Sequence, residues 1–414
     1  LLKKKVKPEI QKSNHQRLST GLVSSSISMC AELAVKIKKS KKKLPLISRG
    51  SVLYLRPSGL VYGSIANQVV ISNNGLLLAG GKIAYTLCEI IQPGGSIGYG
   101  ATRVCSIKEM ISWSKKEGED VSKCIEDYLH KISSPRKLIK NFSKILKEKN
   151  APKIMGIVNT TPDSFSDGGK YLALEDALSH SLSLLDHGAD IIDVGGESTR
   201  PGAEIVDENE EIKRTIPLIK ELSNKGVVTS IDSRKSKVIS AALEAGAQIV
   251  NDVSALTFDK ESIEVVKKTG VPVILMHMQG NPQTMQKSPQ YTCAPLDIFD
   301  YLEERIQFCN NHGIDRSQII VDPGVGFGKT SEHNIEILNY LTLFHGLGCP
   351  ILVGFSRKRF ISEIGSEASE QERLAGSLGA GLLSLNQGVQ FLRVHDVFET
   401  KQAISVWNSV IQSV

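Results

Sequence analysis

Short apolar runs in the second half of the chain end repeatedly in polar side chains that could do chemistry together. Asp232 follows VVTSI, Asn251 ends AQIVN, and Asp322 follows QIIV. A buried polar group without a partner costs about 1–3 kcal/mol, so several such groups indicate a polar ligand better than they indicate a core. Carboxylate and amide groups pair well with a flat heterocycle that carries amines and ring N–H groups.

A second group of side chains suits an anion such as a phosphate, because it combines cations with hydroxyl donors. Its members are Ser198, Thr199, Arg200, Lys358, Arg393 and His395. Asn159, after KIMGIV, is a neutral oxygen ligand that suits a hard cation bridging phosphates. These candidates include no Cys and no paired His at metal spacing, which argues against zinc hydrolysis. They also form no recognisable nucleophile–base–carboxylate set.

The elements that position these residues alternate regularly from Lys153 onward. Each short apolar run is followed by a longer amphipathic segment, as in repeated βα units. The predicted strands are KIMGIV, ADIIDV, VVTSI, AQIVN, PVILM, QIIVD, PILVG and FLRVH. An open, doubly wound sheet is the competing architecture. Eight units in about 260 residues, with polar residues at nearly every strand end, favour an α/β fold of the (β/α)8 TIM-barrel type.

Two Gly- and Pro-containing loops follow the first two predicted strands. Their sequences are NTTPDSFSDGG and GGESTRPGAE. Both are too polar for a core and rich in hydrogen-bond donors, and ordinary mobile loops are the alternative interpretation. We expect them to be lids over the mouth of the barrel that exclude water during reaction.

The first 150 residues have a different organisation. We predict a basic, disordered leader over residues 1–45 and a separate extension over 46–150 before the barrel of 151–414. Within the extension, SVLYLRPSGL, NQVVISNNGLLLAGG and KIAYTLCEII are β-rich runs separated by turn residues. Residues 106–149 have a charged, helical pattern, and KNFSKILKEKN at its end predicts a linker helix.

Composition limits the classes of function that remain. The net charge of +6 comes from residues 1–50, which hold 13 Lys and Arg against two acids, so the rest of the chain is mildly acidic. Low aromatic content, 5%, argues against a stacking surface for single-stranded nucleic acid. Seven scattered cysteines without a CxxC fit a reducing compartment, so we expect a cytoplasmic protein. No apolar run is long enough to span a membrane.

The motifs carry a family resemblance that covers essentially all of residues 153–414. The chain resembles the dihydropteroate synthases in GIVNTTPDSFSDGG at 156–169 and DVGGESTRPGA at 193–203. The likeness continues through IDS at 231–233, VNDVSA at 250–255, ILMHMQGNP at 274–282, VDPGVGFGK at 321–329, GFSRKRF at 354–360 and LRVHDV at 392–397. YLRPSGL and LLLAGGKIAYTLCEII are similar to an N-terminal extension of some bacterial synthases.

The resemblance implies a reaction that joins a dihydropterin diphosphate to 4-aminobenzoate, with Mg²⁺ as the cofactor. It places the pterin at Asp232, Asn251, Asp322 and Lys358. It places the diphosphate at Asn159 (through Mg²⁺), Thr199, Arg200, Arg393 and His395. It places 4-aminobenzoate at Ser198, Thr199, Pro201, Phe327 and Ser356. Lys358, Arg393, His395 and Asp322 are the candidate catalytic residues.

Several alternatives stay open at this point. A pterin-binding methyltransferase barrel would share the pterin pocket but has no use for the two loops. A catalytically silent paralogue would have lost Lys358, Arg393 or His395. His277, after PVILM, is either a substrate contact or a strand-end hydrogen-bonding residue, and we expect Arg357 and Arg359 to be structural or to face solvent. We expect small-molecule substrates, neither a nucleic-acid nor a membrane partner, and pairing into a homodimer.

Overall fold

The computed structural model describes residues 53–93, 99–136, 151–160, 170–200, 202–365 and 369–412. The predicted leader, the linker helix, most of the NTTPDSFSDGG loop and Pro201 lie outside the described residues. Among the described helices, none combines the length and the apolar composition that crossing a bilayer requires.

The extension begins with a four-stranded antiparallel sheet. Its elements are β1 (Tyr54–Val61), α1 (Gly63–Ile71), β2 (Leu76–Leu77), β3 (Ala84–Pro93) and β4 (Tyr99–Ser106). β3 lies in the middle, between β1 on one side and β2 with β4 on the other. Two helices follow, α2 (Ile107–Glu117) and α3 (Glu119–Ser133), as predicted for this charged region. Ser106 and Glu109 form a capping box that fixes the start of α2.

The prediction of β structure was wrong for one run of the extension. The NQVVIS part of NQVVISNNGLLLAGG belongs to α1, and only Leu76–Leu77 of that run form a strand. Val69 and Val70 have a high strand propensity, but strand propensity depends strongly on packing context. In α1 the buried residue is the small Ala66.

The second half is a ring of eight parallel strands, each followed by helical structure. The strands are β5 (Lys153–Asn159), β6 (Ile191–Gly195), β7 (Thr229–Asp232), β8 (Ile249–Asp252), β9 (Val273–Met276), β10 (Ile319–Asp322), β11 (Leu352–Val353) and β12 (Phe391–Val394). The helices are α4 (Lys170–Asp186), α5 (Glu208–Asn224), α6 (Ser236–Glu244), α7 (Ser262–Thr269), α8 (Ala294–Asn311), α9 (Ser331–Asn339), α10 (Arg359–Gly365), α11 (Leu374–Leu385) and α12 (Val397–Gln412). All eight predicted strands are present.

The strands follow one another around the ring in the order β5 to β10, and β12 and β11 complete it beside β5. A parallel bridge between Val321 and Ile351 joins the two ends, so the sheet closes into a (β/α)8 barrel. One apolar side chain from each of seven strands fills the interior as a separate core cluster: Met155, Ile191, Ile249, Ile274, Ile320, Leu352 and Phe391. The barrel is therefore a packed core, and any ligand must bind at its mouth.

The extension packs against the end of the barrel opposite that mouth. The hydroxyl of Tyr54 donates to Asp300 Oδ2 at 2.6 Å, and its ring meets Phe299 edge-on. Thr342 Oγ1 donates to the carbonyl of Pro57 at 2.8 Å. The 3-10 helix Leu341–Leu347 leads into the N-terminal end of β11, so these contacts lie at the strand starts. Tyr54 belongs to the same hydrophobic core as the barrel helices.

Candidate functional site

The strand register aligns four neighbouring positions at the C-terminal rim of the barrel. Asn159 pairs with Gly195, Gly195 with Asp232, and Asp232 with Asn251. Residues paired directly in a sheet point to the same face. A side chain at Gly195 would lie 3.5 Å from Asn159 Oδ1 and 3.7 Å from Asp232 Oδ2, so these two groups approach each other over the glycine.

Arg393 reaches from β12 across this rim. Its Nε donates to Asp193 Oδ2 and its Nη2 donates to Asp232 Oδ2, each at 2.7 Å. Burial raises the pKa of Asp232 to about 7, while Arg393 acts in the opposite direction. Although burial disfavours its charge, Asp193 and Asp232 hold the pKa of Arg393 above its usual value. The arginine predicted at the diphosphate is thus bound directly to a carboxylate predicted at the pterin.

Asp193 is a site residue that the sequence reasoning missed. It is fully buried, and its Oδ2 also accepts from Asn251 Nδ2 at 3.1 Å. Its Oδ1 is buried and has no hydrogen-bond partner among the described residues. The signal was present, because Asp193 is an acid inside the apolar run ADIIDV, where a core position should be apolar.

Asp322 and Lys358 occupy the neighbouring part of the rim. Asp322 Oδ1 accepts from the backbone N–H of Gly324 at 2.7 Å, and burial raises the pKa of this carboxyl. Lys358 Nζ lies 4.1 Å from the centre of the Phe327 ring. Burial, with Arg393 nearby, lowers the pKa of Lys358 to about 8. The aromatic face and the lysine therefore present one apolar and one cationic surface to the same cavity.

Ser356 and His395 form a hydrogen-bond pair. The backbone N–H of His395 donates to Ser356 Oγ at 3.2 Å, and Ser356 Oγ lies 3.0 Å from His395 Nδ1. Ser356 Oγ can accept twice, so the direction of its hydrogen bond with Nδ1 depends on the imidazole tautomer. Burial and the charge of Arg393 lower the pKa of His395 to about 3, so the imidazole is neutral.

The loop after β6 carries the next three predicted site residues. Ser198 Oγ accepts from the backbone N–H of Arg200 at 3.4 Å, and Arg200 Nη2 pairs with Glu370 Oε1 at 2.9 Å. No hydrogen bond or ion pair found within the described part of the chain joins Ser198, Thr199 or Arg200 to the rim. The structure therefore brings together the strand-end residues but leaves the tip of this loop apart from them.

His277 pairs with a lysine that the sequence analysis did not single out. Lys329 Nζ lies 3.0 Å from His277 Nδ1 and donates to the carbonyls of His277 and Phe327. Burial lowers the pKa of both His277 and Lys329. This pair fixes the backbone that presents Phe327, which supports the hydrogen-bonding interpretation of His277.

The two arginines beside Lys358 have the predicted structural roles. Arg357 forms a two-pronged ion pair with Asp396, at 2.5 and 3.2 Å. Arg359 is 86% exposed and pairs with Glu363 one turn along α10. Neither guanidinium is directed into the rim cluster.

The rim as a whole offers two kinds of surface for one ligand. Asp193, Asp232, Asn251 and Asp322 supply acceptors and an amide for N–H groups on a flat ring. Lys358, Arg393 and the imidazole of His395 supply donors for an anion. The described residues contain no cluster of three or more His, Cys, Asp or Glu side chains arranged for a metal. Asn159 supplies a neutral amide oxygen at the same rim, a ligand type that suits a hard cation.

Comparisons with known proteins identify close relatives of the barrel. The family model for "Pterin binding enzyme" matches residues 155–395. The chain is 43% identical to the dihydropteroate synthase of Escherichia coli strain K12 over 263 residues, which are 63% of this chain and 93% of that protein. It is also similar to two solved structures of the Xanthomonas albilineans dihydropteroate synthase. One contains 4-aminobenzoic acid (43% identity, TM-score 0.60, 64% of this chain and 94% of that one). The other contains 7,8-dihydropteroate (41% identity, TM-score 0.58, 64% and 95%).

Proposed function

The chain belongs to the dihydropteroate synthase family of pterin-binding enzymes, and from that membership we propose how its own residues carry out the reaction. It is a transferase that condenses (7,8-dihydropterin-6-yl)methyl diphosphate with 4-aminobenzoate, giving 7,8-dihydropteroate and diphosphate. The observation that carries the residue assignments is the ion-paired rim, in which Arg393 joins Asp193 and Asp232 at 2.7 Å beside Asn251.

The pterin lies against the acidic part of the rim. Asp232, Asn251 and Asp322 accept from the amino and ring N–H groups, and Asp193 Oδ1 is a further acceptor that has no partner among the described residues. An unpaired buried acceptor costs about 1–3 kcal/mol, so a ligand donor in its place supplies binding energy. Lys358 covers the edge of the ring from above Phe327.

The diphosphate lies on the basic part of the mouth, between His395, Arg393 and the loop that carries Thr199 and Arg200. The neutral His395 can donate from Nε2 in the tautomer that carries its proton there, and Arg393 retains guanidinium donors beyond the two that it gives to the carboxylates. Asn159 Oδ1 would hold Mg²⁺, which when bound supplies positive charge to the departing diphosphate. The half-buried position of Asn159 at the end of β5 fits a ligand set completed by phosphate oxygens and water.

4-Aminobenzoate lies between Ser198, Thr199, Pro201, Phe327 and Ser356. The reaction breaks the bond from the pterin methylene carbon to the diphosphate oxygen and forms a bond from that carbon to the arylamine nitrogen. The bonding electrons leave with the diphosphate, and the nitrogen then loses one proton. An arylamine is already a neutral nucleophile, so no strong base is needed. Asp232 and Asp322 stabilise positive charge that develops on the pterin, and Arg393 and His395 stabilise the departing anion.

An assay of diphosphate release from the full chain tests this assignment. Release should require the pterin diphosphate, 4-aminobenzoate and Mg²⁺ together, and omission of any one should abolish it. Lys358→Met should lower kcat/KM by about a hundredfold or more, because it removes a preorganised charge at the reacting ring. Lys401→Met, on the exposed side of α12, is the matched control and should keep wild-type activity. Full activity in Lys358→Met would remove that residue from the site.

Two further proposals concern the state of the protein in the cell. The buried Cys88, Cys105 and Cys349 form no disulfide, which supports a reducing, cytoplasmic location. Leu383 on α11 and Val406 on α12 are 54% and 64% exposed, which supports pairing through these helices. Light scattering during size-exclusion chromatography distinguishes a dimer from a monomer.

A further inference from the structure

Four buried charged side chains form a closed network beneath the loop that follows β6. Arg234 donates twice to Glu197 Oε1, at 2.8 and 3.1 Å, and Lys235 donates to Glu197 Oε2 at 2.6 Å. Lys235 also donates to Glu211 Oε2 at 2.6 Å. All four side chains are less than 10% exposed, and their charges sum to zero. None of the four is among the rim residues assigned to the pterin, so the network is not a direct pterin contact.

Lys235 Nζ hydrogen-bonds to both ends of this loop. Its Nζ holds Glu197, at the start of the loop, and the carbonyl of Val206, at the end, at 2.7 Å. The backbone N–H of Val206 in turn donates to Glu197 Oε2 at 2.9 Å. Burial opposes ionisation of Glu197, but the hydrogen bonds from Lys235 and Val206 hold its pKa below the usual range. The ammonium group thus uses all three donors on charged or backbone acceptors, and the described residues of the loop extend from a closed base.

The start of the loop, at Gly196, is closely packed against α5. A side chain at Gly196 would come within 2.8 Å of Thr215 and 2.9 Å of Glu211 on α5. Arg214, also on α5, donates to the carbonyl of Gly196 at 3.1 Å. The segment that carries Ser198 and Thr199 therefore starts from a fixed point, although its tip at Arg200 is exposed.

We propose that Lys235 is a positioning residue for 4-aminobenzoate: by closing the base of the loop, it sets where Ser198 and Thr199 meet that substrate. This inference rests on the proposed function, which places the amine substrate at these two residues. Lys235 lies on the α5–α6 side of the loop and does not contact the pterin residues Asp232 and Asn251 through any described hydrogen bond. Its effect should therefore fall mainly on 4-aminobenzoate, with a smaller effect on the pterin through Glu211, whose charge raises the pKa of Asp232.

The test is the double variant Lys235→Met with Glu211→Gln. The single change Lys235→Met would leave two buried carboxylates with one cation, and such a protein is prone to unfold. The double variant keeps the Glu197–Arg234 pair and a neutral network. We expect the KM for 4-aminobenzoate to rise by about tenfold, because displacement of a positioning loop by about 1 Å is worth up to about a hundredfold. The affinity for 6-hydroxymethylpterin, measured by fluorescence, should change by a much smaller factor, because Glu211 acts on Asp232 only through its charge.

An exposed ion pair between α5 and α6 provides a matched control. Lys237 on α6 pairs with Glu208 on α5 at 2.8 Å, with side-chain exposures of 71% and 33%. Lys237→Met with Glu208→Gln removes the same pair of charges and should leave both substrate constants unchanged.

The possible outcomes separate the inference from the function on which it rests. An unchanged KM for 4-aminobenzoate in the double variant overturns the role of Lys235. An equal loss of pterin affinity also overturns it, because that result describes general damage to the fold. If the wild-type chain itself releases no diphosphate, the proposed function fails, and the substrate assignment fails with it.

Discussion

Replacement of Arg393 by methionine tests whether the rim is a true charge cluster. Arg393 is the only cation that the described hydrogen bonds place on Asp193 and Asp232, whose side chains are 0% and 8% exposed. Removing one partner of a buried ion pair costs about 3–5 kcal/mol. The variant should therefore lose about that much stability at pH 8, measured by urea denaturation.

The loss should depend on pH with a definite sign. Burial already raises the pKa of Asp232 to about 7, and without Arg393 this pKa should rise further. Between the unfolded pKa of about 3.9 and the raised folded pKa, the folded state then binds more protons than the unfolded state. Stability falls as pH rises through this window, by at most about 1.4 kcal/mol per pH unit for this carboxylate. Because the pKa of Asp232 is lower in the wild type than in the variant, the deficit of Arg393→Met should shrink as the pH falls from 8 to 5.5.

Two comparison variants sharpen this test. Asp193→Asn in the Arg393→Met background removes a buried carboxylate that has lost its cation and should recover part of the stability at pH 8. Arg359→Met, which removes an exposed arginine, should change stability by no more than about 0.5 kcal/mol. A deficit in Arg393→Met that is absent, or that stays constant from pH 8 to pH 5.5, would refute a buried charge cluster.

Three other expectations follow from the same geometry. Asp193→Asn alone should weaken binding of 6-hydroxymethylpterin by about 1–3 kcal/mol, as measured by fluorescence titration, because it removes a buried acceptor. Deleting the chain before residue 150 should lower the melting temperature or cause aggregation, because it exposes the surface that Tyr54 covers at Phe299 and Asp300; a truncated barrel as stable as the full chain would contradict this. Since the pKa of His395 is lowered to about 3, diphosphate inhibition should show no titration of this group between pH 5 and pH 8; a step near pH 6.5 that disappears in His395→Gln would contradict a neutral imidazole.

Local sequence patterns were sufficient to predict the barrel strands, but they did not predict all of the extension correctly. The barrel strands are buried on both faces, so each is a continuous apolar run that few other structures would explain. NQVVIS has the same local appearance but is helical, because packing around Ala66 outweighs the strand propensity of two valines. The sequence also gave no indication that the extension would cover the strand starts, since contacts such as Tyr54 with Asp300 join residues 246 positions apart.

The sequence by itself determined the eight strands, the rim on which Asp232, Asn251 and Asp322 lie, and the family. It did so because strand alternation and strand-end polarity are local properties. Only the tertiary structure decided which charges meet. It put Arg393 on Asp193 as well as on Asp232, and it closed the loop after β6 through Lys235. A charge pair depends on distances of a few ångströms between side chains far apart in the chain, and closure of the barrel sets those distances.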